Sequence, residues 1–247
     1  MQEPKLTFKR YEFKYYLSCE MADRLILDLL NNNMVWDPFV EKKEEKDYTV
    51  TSLYFDSPAF KCYYEKINGL KDRYKLRLRV YDDFLKNGDS VSLEIKRKTD
   101  MVILKDRIFL PYEKYVKIFE EGEMNFSSLM FSKRDEDVLK EFFYKKLAYN
   151  MSPVVFVKYK RKPLIGAFND RFRITFDSEI KSASGKEWLK KRDDLFEPAP
   201  GLIVMEVKFD NTLPKWFLKI IYKYQLDRRP FSKYCSAVET CFKKFQL

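Results

Sequence analysis

The sequence contains no histidine among its 247 residues. This absence excludes catalysis by a Ser-His or Cys-His pair and most zinc sites, because an imidazole supplies the base or the ligand there. A metal ion would therefore have to be held by carboxylates. Glycine is also scarce, with 6 residues, which argues against a glycine-rich phosphate-binding loop.

Cysteines and long apolar runs are also few. The four cysteines lack C-x-x-C spacing and are too few for a secreted disulfide framework, so we expect reduced thiols. No apolar run approaches the ~18 residues of a membrane-spanning helix, and the charged start, MQEPKLTFKRYEF, is unlike a signal peptide. The sequence therefore predicts a cytoplasmic protein without a membrane segment.

Basic and aromatic residues are abundant. Lys and Arg total 48 against 38 Asp and Glu, for a formal charge of +10, and there are 22 Phe and 17 Tyr. A positive balance of this size favours anionic partners without naming them. The length suits a β-rich protein, and we expect residues 1–247 to form a single domain.

A strict alternation of charged and apolar residues marks the segment YKLRLRVY at 74–81. Lys75, Arg77 and Arg79 fall on one face of this segment, which is typical of a β-strand. The same pattern recurs at residues 10–15, 91–98, 104–108, 171–176 and 205–209. A further strand is predicted at 49–56. Asn87-Gly88 indicates a hairpin that joins the segment at 74–81 to the segment at 91–98.

Two architectures fit these strands: an open sheet with a solvated basic face, or a closed barrel whose charged faces line a lumen. Amphipathic helices that could cover a barrel are predicted at 19–31 after the cap Ser18, at 111–121, at 134–149 with Leu147 on its apolar side, and after Pro214. The last helix could also lie on a membrane surface. Residues 182–201 have loop composition. We therefore expect an α+β protein with a closed antiparallel barrel, wrapped by helices and suited to a polyanion.

Eight short motifs follow one another along the chain: SLYFD at 52–56, LRLRVY at 76–81, LEIK at 93–96, KDR at 105–107, Tyr159-x-Arg161, RITFD at 173–177, MEVKF at 205–209 and FSKY at 231–234. Their order resembles the VTC (vacuolar transporter chaperone) domain family, the polyphosphate polymerase branch of the triphosphate tunnel metalloenzymes, a CYTH-like superfamily. The resemblance covers most of the chain.

This resemblance implies an eight-stranded tunnel that transfers the γ-phosphate of ATP to a growing polyphosphate chain with Mn²⁺ or Mg²⁺. The residues expected to be catalytic are Lys96, Arg77, Arg79 and Glu206. The expected substrate-binding residues are Arg10, Lys14, Arg77, Arg79, Lys96, Lys105, Arg107, Tyr159, Arg161, Arg173, Lys208, Ser232 and Lys233. The expected metal ligands are Glu206, Glu94 and Glu12, since carboxylates suit these hard cations.

Two positions depart from the family pattern. Arg10 stands where hydrolytic and cyclase relatives carry a Glu before the positions of Glu12 and Lys14, which favours the polymerase branch. Pro230 stands where the pattern suggests a basic residue, although Arg228 and Arg229 precede it.

Three other functions stay open. The same fold could hydrolyse tripolyphosphate or a nucleoside triphosphate, or bind polyphosphate or ATP without turnover. A nucleic-acid-binding barrel is disfavoured. Such barrels carry their stacking aromatic residues and their cations on the same face, whereas here Phe13 and Phe172 lie on the strand face opposite to Lys14 and Arg173. The expected partners are ATP, polyphosphate or tripolyphosphate and inorganic anions in the tunnel, without nucleic acid. Association with a separate membrane partner is left open.

Overall fold

The computed structural model describes residues 10–83, 85, 88–100, 102–185, 188–189 and 193–242. The chain forms two compact units, each assembled from three segments. Unit 1 comprises Met1–Tyr48, Lys160–Glu179 and Ala199–Phe231, and unit 2 comprises Thr49–Tyr159, Ile180–Pro198 and Ser232–Leu247. A single domain over residues 1–247 stays a prediction.

The described chain contains nine strands and seven α-helices. The strands are β1 (Arg10–Leu17), β2 (Met34–Trp36), β3 (Tyr48–Asp56), β4 (Arg73–Val80), β5 (Ser90–Thr99), β6 (Val102–Pro111), β7 (Ser152–Gly166), β8 (Arg173–Ser184) and β9 (Ile203–Asp210). The helices are α1 (Cys19–Leu30), α2 (Pro38–Glu41), α3 (Lys61–Ile67), α4 (Tyr112–Tyr115), α5 (Lys133–Ala148), α6 (Lys215–Lys223) and α7 (Lys233–Cys241). A π-helical turn, Val116–Glu120, follows α4, and a 3₁₀ turn, Phe126–Leu129, precedes α5.

In unit 1 the hydrogen-bonded strand order is β1-β9-β8-β7, and β2 also pairs with β7. Strand β9 is antiparallel to both neighbours, and its Glu206 lies opposite Lys14 on one side and Thr175 on the other. The alternate residues Tyr15, Met205 and Phe176 form the adjoining apolar row. Since neighbouring residues of a strand point to opposite faces, the charged and apolar rows lie on different faces of these strands.

Helices α1 and α6 cover the apolar face of unit 1. Helix α1 begins after Ser18, whose Oγ accepts a hydrogen bond from the backbone N–H of Met21 at 3.2 Å, as the sequence predicted. Leu25 of α1 and Phe217 of α6 are fully buried in the same core as Met205. The apolar stripe of α6 thus packs on the sheet, which confirms packing over the membrane-surface alternative. Within the described residues no helix is long and apolar enough to span a membrane.

In unit 2 the strand order is β7-β3-β4-β5-β6, with antiparallel pairing from β3 to β6. The apolar row across these strands contains Leu53, Leu78, Leu93 and Ile108, and all four are buried. Helix α5 covers this side, with an edge-to-face contact between Phe142 and Phe55 of β3 at 5.5 Å between ring centroids. The predicted alternation is therefore confirmed in both units.

The sheet is not closed, so the closed eight-stranded barrel is not confirmed. The strand order ends at β1 and at β6. Among the described residues no strand pairing connects these ends into a ring. The number of described strands is also nine, because the three-residue strand β2 adds to the predicted set. The α+β class and the antiparallel sheet are confirmed.

Three local predictions differ from the structure. Leu147 is 68% exposed, because its position near the last turn of α5 projects past the core that buries Val138, Leu139, Phe142 and Phe143. Pro111 ends β6 and precedes α4 rather than occupying its first turn. Strand β8 continues to Ser184, so only part of 182–201 is irregular. Asn87 lies outside the described residues, but antiparallel pairing of β4 with β5 confirms the hairpin.

Candidate phosphate-binding site

The first cluster of charged side chains lies in unit 2 around Glu94, whose exposed fraction is 0%. Arg77 donates through Nε to Oε2 of Glu94. Lys105 Nζ and Arg107 Nε lie 2.6 and 2.8 Å from its Oε1. We call these four residues the Glu94 cluster; Ser92 Oγ also donates to Oε1 at 3.2 Å. Burial acts to raise the pKa of Glu94, but the surrounding cations outweigh it and hold that pKa far below its usual range.

Next to this cluster, Arg79 is buried with neutral partners. Its exposed fraction is 6%. Nε donates to Ser52 Oγ at 2.9 Å, and Nη2 donates to Tyr159 Oη at 3.3 Å. Within the described part of the chain no carboxylate lies within ion-pair distance of Arg79. A buried cation without a paired carboxylate is costly, so this position is suited to an anion from outside the protein.

Three lysines occupy one cross-strand row of unit 2. Lys75 lies opposite Lys96, which lies opposite Lys105. Burial and the nearby guanidiniums of Arg77 and Arg107 act to lower the pKa of Lys105, whereas its contact with Glu94 acts to raise it. Burial, together with Lys96, lowers the pKa of Lys75 as well. Such like-charge rows are stabilised when an anion binds between the charges.

Tyr54 is a further member of this surface. Its hydroxyl accepts a hydrogen bond from Arg77 Nη1 at 3.4 Å, and its side chain lies on the face that carries Arg77 and Glu94. Burial acts to raise the pKa of Tyr54, but the charges of Arg77 and Arg79 outweigh it and lower the pKa to about 8. The potential at this position is therefore strongly positive.

The second cluster lies in unit 1 around Glu206, which is 7% exposed. Lys14 Nζ lies 3.4 Å from Oε1, while Lys208 Nζ and Arg161 Nη2 lie 3.4 and 3.6 Å from Oε2. Lys14 Nζ also lies 3.1 Å from Glu12. We call these five residues the Glu206 cluster. Burial acts to lower the pKa of Lys14, but the carboxylates of Glu206 and Glu12 raise it well above its usual value.

Arg161 has a structural partner as well. Its Nε and Nη2 donate to the two carboxylate oxygens of Asp177 at 2.6 and 2.8 Å, and Asp177 is fully buried. This bidentate pair fixes the guanidinium plane next to Glu206. The RITFD motif therefore supplies the residue that orients the arginine of the Tyr159-x-Arg161 motif.

The remaining predicted site residues are placed as follows. Lys233 is 7% exposed, and its Nζ lies 4.7 Å above the ring of Tyr159. Ser232 caps α7 by accepting from the N–H of Cys235 at 3.3 Å, and it also accepts from Lys75 Nζ at 3.0 Å. Arg173 is 46% exposed by side chain and donates to the carbonyl of Asp170. The side chain of Arg10 lies outside the described residues.

Sequence reasoning did not assign Tyr54, Lys75 or Asp56 to the site. The alternation already places Lys75 on the charged face, and the register places Tyr54 beside Arg77, so both could have been found. Asp56 accepts the N–H groups of Cys62 and Tyr63 at 2.9 and 3.1 Å and the hydroxyl of Tyr234. It thereby ties the SLYFD motif to the FSKY motif, a contact without a local sequence signal.

The predicted metal ligands do not form one group. Across the described residues no cluster of three or more Asp, Glu or Cys side chains could hold a metal ion. Glu94 is enclosed by cations. Glu12 and Glu206 share the ammonium of Lys14, at 3.1 and 3.4 Å, and this pair fits an ion such as Mg²⁺, which binds one or two carboxylates together with substrate phosphates.

Comparison with known proteins identifies the family. The model of the VTC domain matches residues 9–242. The chain belongs to the VTC domain family. Subunit 4 of the vacuolar transporter chaperone complex of Schizosaccharomyces pombe is 25% identical over 275 aligned positions, which cover 95% of this chain and 38% of the relative. Subunit 4 of Trypanosoma cruzi is 22% identical over 78% of this chain and 28% of its own length. The VTC domain chain thus spans well under half of these relatives.

Solved structures show the same fold. A candidate adenylate cyclase of Bacillus halodurans matches with a TM-score of 0.52 at 15% identity, covering 90% of this VTC domain and 92% of that chain. A candidate adenylyl cyclase of Hippeastrum, described as having a dominant triphosphatase activity, matches with a TM-score of 0.52 at 13% identity over 96% and 99% of the two chains. At these identities the likeness shows a shared fold alone.

Proposed function

We propose that this VTC domain is a phosphotransferase that moves the γ-phosphate of ATP onto a growing polyphosphate chain, with Mn²⁺ or Mg²⁺ as cofactor. The proposal includes the closed eight-stranded tunnel that the family resemblance implies, with ATP, polyphosphate and inorganic anions as its ligands. It also includes a cytoplasmic location. Family membership and the similarity to subunit 4 of two vacuolar transporter chaperone complexes support the link to that system.

The observation that carries the proposal is the buried guanidinium of Arg79. Two of its five N–H groups are used by neutral hydroxyls, those of Ser52 and Tyr159. Phosphate oxygens match the planar fork of an arginine. The adjoining Glu94 cluster places three cations around one carboxylate, so this face carries an excess of positive charge that a chain of phosphates would neutralise.

The chemistry follows from positioning and charge. Phosphoryl transfer asks a protein mainly to align the reactants and to stabilise charge on the transferred group. In the proposed reaction, Arg77, Arg79 and Lys96 would hold the phosphates of ATP and of the acceptor chain. The terminal phosphate oxygen of the acceptor forms the new P–O bond as the bond to ADP breaks, so no side-chain nucleophile is needed.

Glu12 and Glu206 would hold the divalent ion, which would supply positive charge to neutralise the phosphates. Lys14 now occupies the position between these two carboxylates. The Lys14 ammonium is therefore expected to move to a phosphate oxygen when the substrate and the divalent ion bind. Glu94 would act as a counter-charge for Arg77, Lys105 and Arg107.

Incubation with ATP and Mn²⁺, followed by separation of long-chain polyphosphate from free phosphate, tests the proposal. The expected products are ADP and long-chain polyphosphate, with one phosphate unit added for each ADP released. Free phosphate alone would mean a hydrolase, and binding of ATP without any product would mean a binding module. Either result would contradict the polymerase proposal.

Replacement of Arg79 by alanine is expected to weaken tripolyphosphate binding roughly 10- to 100-fold, the size of a lost hydrogen bond to a charged group. The melting midpoint of the free protein should change little, because no carboxylate loses its partner. Calorimetric titration with tripolyphosphate measures the loss.

The matched control is Arg171→Ala, since Arg171 pairs with Asp210 and its side chain is 54% exposed. This variant should bind tripolyphosphate as the wild type does. Equal affinities of the Arg79 variant and the control would place Arg79 outside the site.

A further inference from the structure

Thr175 carries a buried hydroxyl that has no role in the proposed site so far. The residue is 7% exposed, and its Oγ1 makes no hydrogen bond to any of the described residues. Buried hydroxyls are normally hydrogen-bonded, and each exception needs an explanation. A threonine without a partner costs stability relative to an apolar side chain of the same shape.

The register places this hydroxyl beside the predicted metal ligand. Thr175 of β8 lies directly opposite Glu206 of β9. Residues opposite each other in an antiparallel pair share a face, with Cβ atoms about 4.5–5.5 Å apart. A rotation of the threonine side chain about χ1 can therefore direct Oγ1 towards the Glu206 carboxylate.

Three cations lie near the Glu206 carboxylate. Lys14, Lys208 and Arg161 lie 3.4, 3.4 and 3.6 Å from it, whereas close charge-assisted hydrogen bonds measure about 2.7–2.9 Å. Arg161 is held by Asp177. The ammonium groups of Lys14 and Lys208 are the groups that a phosphate chain would attract. When they turn towards phosphate, the buried carboxylate loses part of its compensating charge, and a further hydrogen-bond donor stabilises it.

We propose that Thr175 is a positioning residue for Glu206. When substrate phosphates draw Lys14 and Lys208 away, the Thr175 hydroxyl donates a hydrogen bond to the carboxylate and holds it in place for the divalent ion. The hydroxyl makes no hydrogen bond in the free protein and donates one to Glu206 when phosphates and the metal ion are bound. This inference rests on the proposed function, because it requires phosphates and a metal ion at Glu206.

The test compares Thr175→Val, which replaces the hydroxyl with a methyl group, with Thr175→Ser, which keeps the hydroxyl. Thr175→Val should not lower the melting midpoint of the free protein, but it should bind tripolyphosphate about tenfold more weakly at saturating Mn²⁺, measured by calorimetry. Thr175→Ser should bind within about twofold of the wild type, since it retains the donor.

Two results would overturn the inference while leaving the proposed function intact. Wild-type affinity in Thr175→Val would show that the hydroxyl makes no hydrogen bond to Glu206 in the liganded protein. A large fall in the melting midpoint of the free Thr175→Val protein would show that the hydroxyl already has a hydrogen-bond partner without ligand. Absence of tripolyphosphate binding by the wild-type protein would instead remove the proposed function, and the inference with it.

Discussion

Glu206→Gln is expected to lower polyphosphate synthesis at least about a hundredfold, since it removes a carboxylate that would hold the divalent ion. Binding of tripolyphosphate without metal should not weaken. The substitution removes negative charge next to Lys14, Arg161 and Lys208, which all lie within 3.6 Å of the carboxylate. Synthesis assays with ATP and Mn²⁺, together with calorimetric titration of tripolyphosphate, separate the two effects.

The control for this change is Glu44→Gln, because Glu44 is exposed in the same unit. Its rate should equal that of the wild type. A Glu206 variant that synthesises polyphosphate at the same rate as this control would exclude Glu206 as a metal ligand.

Glu94→Gln is expected to destabilise the free protein by about 3–5 kcal/mol, the cost of leaving a buried ion pair without one partner. The melting midpoint should fall by roughly 6–20 °C at about 2–4 °C per kcal/mol. Arg77, Lys105 and Arg107 then face one another without the carboxylate they now contact. Saturating tripolyphosphate should recover part of the loss, because its phosphates replace the missing charge.

The stability difference between the wild type and Glu94→Gln should depend on pH with a defined sign. The cations hold the pKa of Glu94 below its ordinary value of 4.5, so the carboxylate contributes stability above pH 4.5 that is lost as the pH falls through the folded pKa. The wild type and Glu94→Gln should therefore converge in stability as the pH is lowered below about 4.5. A constant difference from neutral to acidic pH would contradict ion pairing as the cause.

Much of the fold follows from local patterns in the sequence. The alternation in YKLRLRVY and its repeats identifies the strands and their faces, because a period of two admits one assignment of each side chain. The cap at Ser18 and the apolar stripe with Leu25 predict α1. Closure of the sheet does not follow from the sequence, because it depends on pairing between the two edge strands. The same alternation suits an open or a closed sheet.

The composition of the site was also partly predictable. Family motifs point to Arg77, Arg79 and Glu206, but not to the partners that set their charge state. Asp177 pairs with Arg161 and Tyr234 pairs with Asp56 across long chain separations, and such contacts have no periodic signal. The enclosure of Glu94 by Arg77, Lys105 and Arg107 depends on the register of three strands.

The central claim of the proposed function is that the cations of the Glu94 cluster, together with Arg79, bind phosphates. Its most direct test is the melting midpoint of the wild-type protein with tripolyphosphate and with sodium chloride at the same ionic strength. Tripolyphosphate at about a hundred times its dissociation constant adds roughly 2.7 kcal/mol, which should raise the midpoint by about 5–10 °C, while sodium chloride should leave it nearly unchanged. Equal shifts with the two salts would contradict the claim, because they would mean that the cations respond to ionic strength alone.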